Sequence, residues 1–321
     1  MSAPLLLEPV FHDKIWGGTT LAERYHFSIP SQTTGEAWVI SGHANGVELI
    51  KNGTYAGMSL AQVWHNHPEL FDNKNPERPF PLLVKFLDAH QDLSVQVHPD
   101  DAYAGEHHGE LGKTESWYIV AAEPGAEIYY GHSAQTEAEF RALVDAGDWE
   151  QLLTKVPVKA GDFFYVPAGT LHALGAGTFV LETQQSSDVT YRVYDFDRRD
   201  AQTGALRELH LEDAKNVTTV PFKPEQPSQV TVTRPGVVIT TLVEAAYFNV
   251  FKWELDGEAV FEQTAPYTLA TIIEGSASLM VDGVDYSLEA GQPFILPNDV
   301  KTWQLKGQAQ LIVSTPGPAS R

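Results

Sequence analysis

Cysteine is absent from this chain of 321 residues. Disulfide bonds and thiolate metal sites are therefore excluded, and histidine and carboxylate groups must supply the ligands of any metal ion. Near the N-terminus the only apolar run is the leucine triplet at 5–7, with no basic segment before it and Glu8-Pro9 directly after it. This pattern fits neither a signal peptide nor a membrane span, so we expect a cytoplasmic protein with no membrane partner.

Positive charge is scarce, with 21 lysines and arginines against 42 aspartates and glutamates, a formal net charge of -21. Phosphate backbones and anionic lipids are bound by concentrated lysine and arginine, so neither nucleic acid nor membrane is expected as a partner. An anionic small molecule would need a local cluster of cations, or a metal ion, to hold it here. The hydrophobic fraction of 43% is that of an ordinary globular protein.

Short β-rich runs punctuated by Gly, Pro, Asn and Asp predict a mainly β chain, built as a sandwich or barrel of many short strands. Two short helices are expected between the strands of this mainly β body. One follows Ser59 and is ended by Pro68, and the other is capped by Thr136 in capping-box spacing with Glu139. The predicted strands are 48–51, 82–87, 93–98, 116–121, 163–166, 178–183, 189–194, 237–243, 248–253, 268–273, 278–281, 294–296 and 311–313.

Four prolines in the stretch 221–235 suggest a linker or extended crossing, which divides the chain into domains 1–235 and 236–321. An internal echo supports two related halves. The segments 161–172 and 291–302 each begin with a glycine, continue with a strand pattern and have a proline six positions after the glycine. The last position of each segment, eleven after the glycine, can be compared between the two copies. His172 occupies that end position in the first copy and Thr302 in the second. We therefore expect a duplicated barrel whose second copy has no metal ligands.

The first copy resembles the cupin half-motif G-x5-P-x-G-x2-H, with Gly161, Pro167, Gly169 and His172 in place. Glycines permit the tight turn that directs the histidine inward. A purely structural turn with a hydrogen-bonded histidine is the alternative.

Alternation in 93–99 places Ser94, Gln96 and His98 on one face of a predicted strand, toward either a barrel lumen or water. By the same two-residue alternation, Lys113, Glu115 and Trp117 share one face of a predicted strand.

Joined to His98 and His172, Glu115 completes a set of two histidines and one carboxylate, with Gln96 as a possible fourth ligand. Such ligands suit zinc or another first-row divalent ion. Otherwise the glutamate and Lys113 form an ordinary surface ion pair.

Arg192 lies on a predicted strand, where an inward guanidinium would need an anion such as phosphate. Asp195 or Asp197 could neutralise it instead. The pair His107-His108 stands in a glycine-bounded polar stretch, which we expect to be an exposed loop and not the metal site.

Taken together, these stretches resemble the type I mannose-6-phosphate isomerase (phosphomannose isomerase) family in its shorter bacterial form. The matching segments occur in the family's order between residues 16 and 195. They are Trp16-Gly17-Gly18, Gly35-Glu36-Ala37-Trp38-Val39-Ile40-Ser41, Gln96-Val97-His98-Pro99-Asp100, Gly112-Lys113-Thr114-Glu115, Pro167-Ala168-Gly169-Thr170-Leu171-His172-Ala173 and Tyr191-Arg192-Val193-Tyr194-Asp195.

The resemblance implies two cupin-type jelly-roll β-barrels, of which only the first is catalytic. It also implies reversible interconversion of mannose 6-phosphate and fructose 6-phosphate, with a proton moved between C2 and C1 through an enediol. One Zn²⁺ per chain would assist the reaction. The implied roles are Gln96, His98, Glu115 and His172 as metal ligands, Arg192 as the active-site arginine, and Ser94, Lys113 and Arg192 as the groups that hold the substrate.

Two other functions remain open from the residues alone. Cupin dioxygenases bind iron, but they usually carry the first histidine pair and the glutamate on one hairpin, whereas His98 and Glu115 are 17 positions apart here. A non-catalytic sugar-phosphate-binding cupin could afford to lose Glu115 or Arg192, and this chain keeps both. The sequence leaves the oligomeric state open.

Overall fold

Antiparallel strands dominate the computed structural model, which describes residues 3–199, 204–225 and 227–320. The strands are β1 Leu5–Leu6, β2 Val10–Gly18, β3 Thr34–Ser41, β4 Leu82–Ala89, β5 Val95–Val97, β6 Glu115–Ala122, β7 Glu127–His132, β8 Leu153–Pro157, β9 Phe163–Val166, β10 His172–Leu174, β11 Thr178–Gln185, β12 Tyr191–Tyr194, β13 Val230–Arg234, β14 Val237–Glu244, β15 Phe248–Glu262, β16 Thr268–Val281, β17 Val284–Glu289, β18 Pro293–Leu296 and β19 Thr302–Pro316. The helices are α1 Thr20–Tyr25, α2 Leu60–Asn66, α3 Asp101–His108, α4 Glu137–Ala146, α5 Trp149–Leu152 and α6 Leu211–Val217.

Two sheets form the first barrel. A six-stranded sheet has the order β2-β3-β4-β11-β6-β9, and a five-stranded sheet has the order β12-β5-β10-β7-β8. Their inner faces share one apolar core, in which Leu87 and Trp117 of the first sheet meet Ile128 and Leu174 of the second. Side chains between two sheets fill a layer about 10 Å thick, so a charged group on an inner face is enclosed by protein.

The central strands of the six-stranded sheet are buried on both faces. All eight residues of β4 and all eight of β11 are buried. Strands covered on both sides carry continuous apolar runs, which is why 82–87 and 178–183 are recognisable as strands from the sequence.

The second barrel is an eight-stranded sheet in the order β1-β18-β16-β19-β15-β14-β13, with β17 paired to β16. Strands β15 and β19 pair over their full lengths and close around a separate apolar core that includes Trp253, Leu279 and Leu305. The sheet therefore includes β1 from the N-terminal end and β13 from the proline-containing stretch 221–235.

A third apolar cluster joins the two barrels back to back. Phe86, Tyr118 and Phe179, on the outer face of the six-stranded sheet, pack in one cluster with Phe248 and Ile312 of the eight-stranded sheet. The described part of the molecule thus shares a large core across its two barrels.

These observations confirm the prediction of a mainly β chain with two jelly-roll barrels and short helices. The echo between segments 161–172 and 291–302 is also structural: each copy forms a strand, β9 or β18, and its end position begins the next strand, β10 or β19. Thr136 caps α4 by accepting a hydrogen bond from the backbone N–H of Glu139 at 3.2 Å, and Ser59 and Gln62 form a capping box on α2.

Two local predictions were wrong. The predicted strand at 48–51 makes only isolated bridges, because Ile50 and Leu49 pair with single residues, Leu7 and Ser59. The stretch around His107 and His108 is not a loop, because Asp100 caps a helix there and α3 extends through both histidines.

Candidate active site

Each sheet of the first barrel presents one row of side chains to the space between them. In the six-stranded sheet, Glu182 is the direct cross-strand partner of Lys85 on one side and of Trp117 on the other. In the five-stranded sheet, Gln96 is the direct partner of both His172 and Arg192. Directly opposed residues in antiparallel strands point to the same face, so the pairing register itself assembles two functional rows.

Between these rows lies a cavity of about 310 Å³. Its charged lining groups are unusual for so acidic a chain, because five cations outnumber three acids. Ser94 and Gln96 also line it, as expected from the alternation in 93–99. The charged residues of the lining are Lys14, Lys85, Lys113, Arg192 and Arg207, with Glu36, Glu182 and Asp188.

Next to the cavity-lining Lys113, which contacts Glu115, the residues His98, Glu115 and His172 bring one ligand atom each within 4.8 Å of one another. All three are buried, with at most 2% of each side chain exposed. His98 Nε2 lies 3.4 Å from one carboxylate oxygen of Glu115, and His172 Nε2 lies 3.2 Å from the other. Residues far apart in the chain thus converge on one point, as the sequence predicted.

The second nitrogen of each imidazole fixes the ring for metal binding. His98 Nδ1 lies 2.8 Å from the carbonyl oxygen of Val189, and His172 Nδ1 lies 2.8 Å from that of Thr170. A carbonyl can only accept, so Nδ1 carries a proton in both rings and Nε2 is the nitrogen left to bind a metal ion. This is the arrangement by which metal-binding histidines are oriented and made more basic.

Two buried acceptors at this point have no hydrogen-bond partner among the described residues, namely Glu115 Oε1 and His172 Nε2. Leaving such atoms unsatisfied is costly, and a bound cation would satisfy both. Burial, followed by the charge of Lys113, lowers the pKa of His98 well below its usual value. The residues present therefore fit a metal ion held by two imidazole nitrogens and a carboxylate.

Lys113 is the cation closest to these ligands. Its ammonium group contacts the Glu115 carboxylate and lies 3.0 Å from His98 Nε2. Burial opposes ionisation of Glu115, but the neighbouring charge of Lys113, the largest favourable effect, holds the pKa of this carboxyl well below its usual value. The carboxylate is thus available as an anionic ligand.

A buried ion-pair chain, which sequence reasoning missed, faces the metal group. Glu182 lies 3.3 Å from the ammonium of Lys85 and 3.6 Å from that of Lys113, and it accepts a hydrogen bond of 2.9 Å from the indole of Trp117. Burial opposes the charge of Lys85, but Glu182 and then Glu36 raise its pKa above the usual value. The sequence did contain a signal for this chain of ion pairs, because Lys85 and Glu182 are each the single charged residue in an apolar predicted strand, 82–87 and 178–183.

Arg192 lines the cavity together with a second arginine, Arg207, which sequence reasoning missed. In the described residues Asp195 makes no ion pair with Arg192; it binds Arg198 and also Arg207, whose Nε donates to its Oδ2 at 2.6 Å. Burial and then the charge of Arg207 lower the pKa of Arg192, as expected for two guanidinium groups facing one space. No local pattern marks Arg207, because it reaches the cavity only through the fold.

Comparisons with known proteins agree with this geometry. The model for the catalytic domain of type I phosphomannose isomerase matches residues 5–125, and that for the cupin domain of mannose-6-phosphate isomerase matches residues 238–316. A mannose-6-phosphate isomerase of Streptococcus mutans is 51% identical over 314 residues, which are 98% of each chain. This chain belongs to the type I phosphomannose isomerase family.

Solved structures show how far the family fold extends. The crystal structure of the mannose 6-phosphate isomerase from Bacillus subtilis superposes with a TM-score of 0.94 at 47% identity, covering 98% of this chain and 99% of that one. The apo form of mannose 6-phosphate isomerase from Salmonella typhimurium gives a TM-score of 0.76 at 16% identity, covering 99% of this chain and 100% of that one, which shows a shared fold. In the described residues of this phosphomannose isomerase family member, no helix has the length and apolar character needed to cross a membrane.

Proposed function

We propose that this chain is a mannose-6-phosphate isomerase that interconverts mannose 6-phosphate and fructose 6-phosphate through an enediol. The observation that carries the proposal is the convergence of His98, Glu115 and His172 beside a cavity lined by five cations. The named relatives, which match along nearly their whole lengths, support the same reaction.

We further propose Zn²⁺ as the ion, held by His98, Glu115 and His172, with Gln96 as the fourth ligand. The donor set of imidazole nitrogen and carboxylate oxygen, in a chain without cysteine, supports zinc. Gln96 is the cross-strand partner of His172, which places it on the same face as that ligand. When bound, the ion supplies Lewis-acid polarisation of the sugar oxygens without redox chemistry.

The phosphate would bind at the end of the cavity where Arg192 and Arg207 lie. Guanidinium groups match phosphate oxygens with two hydrogen bonds each, and Arg192 Nε is buried without a hydrogen-bond partner among the described residues. Holding the phosphate there turns remote binding energy into placement of C1 and C2 at the metal end. The roles of Ser94 and Lys113 in holding the phosphate stay predictions.

We assign the proton transfer between C1 and C2 to the carboxylate of Glu182. Its Oε1 lies 3.3 Å from the ammonium of Lys85 and 3.6 Å from that of Lys113, so the carboxylate is enclosed between two cations. A base positioned in this way contributes about 10²–10⁴-fold to the rate. Lys85, whose pKa is raised, would stay protonated beside this carboxylate.

The division of labour between the barrels is part of the proposal. Chemistry would belong to the domain formed by residues 1–235, and the domain formed by residues 236–321 would carry no metal ligands. In support, His98, Glu115 and His172 form the one group in the described ranges with three or more histidine or acidic residues that could hold an ion. The cytoplasmic location expected from the sequence stays a prediction, as does the absence of a nucleic-acid partner.

A coupled assay with mannose 6-phosphate tests the function. We expect turnover that a strong chelator abolishes and added Zn²⁺ restores, together with an Arg192→Ala variant that keeps its metal and loses most turnover. Absence of turnover in the metal-loaded protein would favour a sugar-phosphate-binding cupin without catalysis. Oxygen consumption in place of isomerisation would favour a cupin dioxygenase.

A further inference from the structure

The second barrel contains a cavity of its own, separate from the one that holds the proposed reaction. It has a volume of about 340 Å³, within the range typical of small-molecule sites. Its lining combines aromatic side chains of the eight-stranded sheet with polar residues from the strand ends. The proposed function makes no use of this space.

A bend in two paired strands creates the cavity. Gly257 of β15 and Gly307 of β19 are direct cross-strand partners, and both have positive φ, 114° and 147°. The two long strands turn back on themselves at this rung, so the end of β15 returns to its own middle. As a result Phe261 stacks on Trp253 of the same strand, with ring centroids 4.4 Å apart and planes within 5°.

A third ring extends this stack. Trp303 is the cross-strand partner of Phe261, and their rings lie 5.8 Å apart with planes within 10°. Trp253, Phe261 and Trp303 all line the cavity. The side chain of Trp303 is buried, with 4% exposed, and its indole N–H has no hydrogen-bond partner among the described residues. A buried indole N–H normally finds an acceptor.

The polar groups of the lining decide the class of ligand. The lining includes two carboxylates, Glu244 and Glu262, and one cation, Arg234, so its charges do not suit a phosphate, in contrast to the first cavity. Asn249 and Thr315, joined by a hydrogen bond of 3.1 Å, add neutral donors and acceptors. Carboxylates and amides next to flat aromatic faces bind molecules that carry many hydroxyl groups on an apolar ring.

We propose that this cavity, lined by the Trp253–Phe261–Trp303 stack, is a binding site for an uncharged monosaccharide in its ring form. Aromatic faces would cover the C–H face of the sugar. A sugar hydroxyl would accept from the indole N–H of Trp303, and Glu262 would accept hydrogen bonds from other hydroxyls. The site is independent of the isomerase chemistry proposed for the first barrel.

Calorimetric titration of the full-length protein with D-mannose and with D-glucose tests the proposal. We expect saturable binding of at least one hexose that is retained in a His172→Ala variant, because the first barrel takes no part in it. Trp303→Phe, which keeps the ring and removes the N–H, should weaken binding several-fold, and Glu262→Ala about tenfold. Glu258→Ala is the matched control, since Glu258 is an exposed glutamate of the same strand that lies outside the cavity.

Circular dichroism and thermal melts establish that each variant is folded, and Glu262→Ala, at the exposed rim, keeps the test open should Trp303→Phe be unstable. Three results would overturn the proposal. They are the absence of saturable hexose binding, hexose binding that neither Trp303→Phe nor Glu262→Ala weakens, and a preference of this cavity for adenosine or mannose 6-phosphate over the free hexoses.

Discussion

At the scale of single residues, buried charge distinguishes the functional groups from the scaffold. Lys85 and Glu182 stand in the middle of apolar strands and are almost completely buried. Charged side chains are rarely buried unless they are paired or functional. Here they are paired with each other and also face the cavity, so their burial serves the site.

The Glu182→Gln variant tests the proposed base. Glutamine has nearly the same shape but cannot take the proton, so we expect turnover to fall by about 10²–10⁴-fold. Metal content should stay at the wild-type level, because Glu182 is not among the three residues that converge on the ion. Steady-state kinetics with metal analysis of the same sample makes the comparison, and near-normal turnover would rule out Glu182 as the base.

Glu48 is a buried carboxyl outside the site, and burial raises its pKa well above the ordinary value of 4.5. In the unfolded chain this group ionises as pH rises above about 4.5, whereas in the folded protein it stays protonated. Unfolding therefore becomes easier with rising pH, by up to about 1.4 kcal/mol per pH unit from this group.

We expect Glu48→Gln to remove this slope. The variant should match the wild type near pH 4 and be the more stable of the two at pH 7, in denaturant titrations at each pH. A wild-type stability advantage that grows toward neutral pH would show that Glu48 is ionised in the folded state.

At the scale of elements, strand register determines the site and tight turns aim its ligands. Gly169, in the turn before β10, has a φ of 83°, and an added Cβ would overlap the hydroxyl of Thr219. Gly161 also has a positive φ, 91°, but an added Cβ there would meet nothing within 4 Å. A substitution of Gly161 therefore introduces backbone strain alone, whereas a substitution of Gly169 adds a steric clash to that strain.

We expect Gly161→Ala to lose about 1–2 kcal/mol of stability from the left-handed backbone alone and to keep its metal. Gly169→Ala should lose more stability and should also lose metal affinity, since the turn that positions His172 must shift. Thermal melts and metal titrations of the two variants make the comparison. Equal metal affinity in both would show that the turn does not position the ligand.

The sequence could predict what strand alternation and the turn motif encode locally. Ser94, Gln96, Lys113 and Glu115 fall on the expected faces, and His172 turns inward. Arg207 could not be predicted, because its place depends on a long-range pairing with Asp195. Strand β1 was also missed, since a two-residue strand is defined only by its partner β18.

At the scale of the whole molecule, the back-to-back cluster makes the two barrels depend on each other. Phe248 is completely buried in it, while Val260 of the same strand is 67% exposed. We expect Phe248→Ala to reduce the free energy of unfolding by about 3–5 kcal/mol and Val260→Ala by less than about 0.5 kcal/mol. Denaturant unfolding followed by fluorescence measures both, and a small effect of Phe248→Ala would show that the cluster contributes little.

The central claim is that one ion, held by the first barrel alone, underlies the activity. The internal echo supplies the matched pair of variants, His172→Ala and Thr302→Ala. Metal content and mannose-6-phosphate isomerase turnover, measured on the same purified samples, test the claim most directly. The account predicts that His172→Ala loses both together while Thr302→Ala keeps both at the wild-type level; full metal occupancy and turnover in His172→Ala would contradict it.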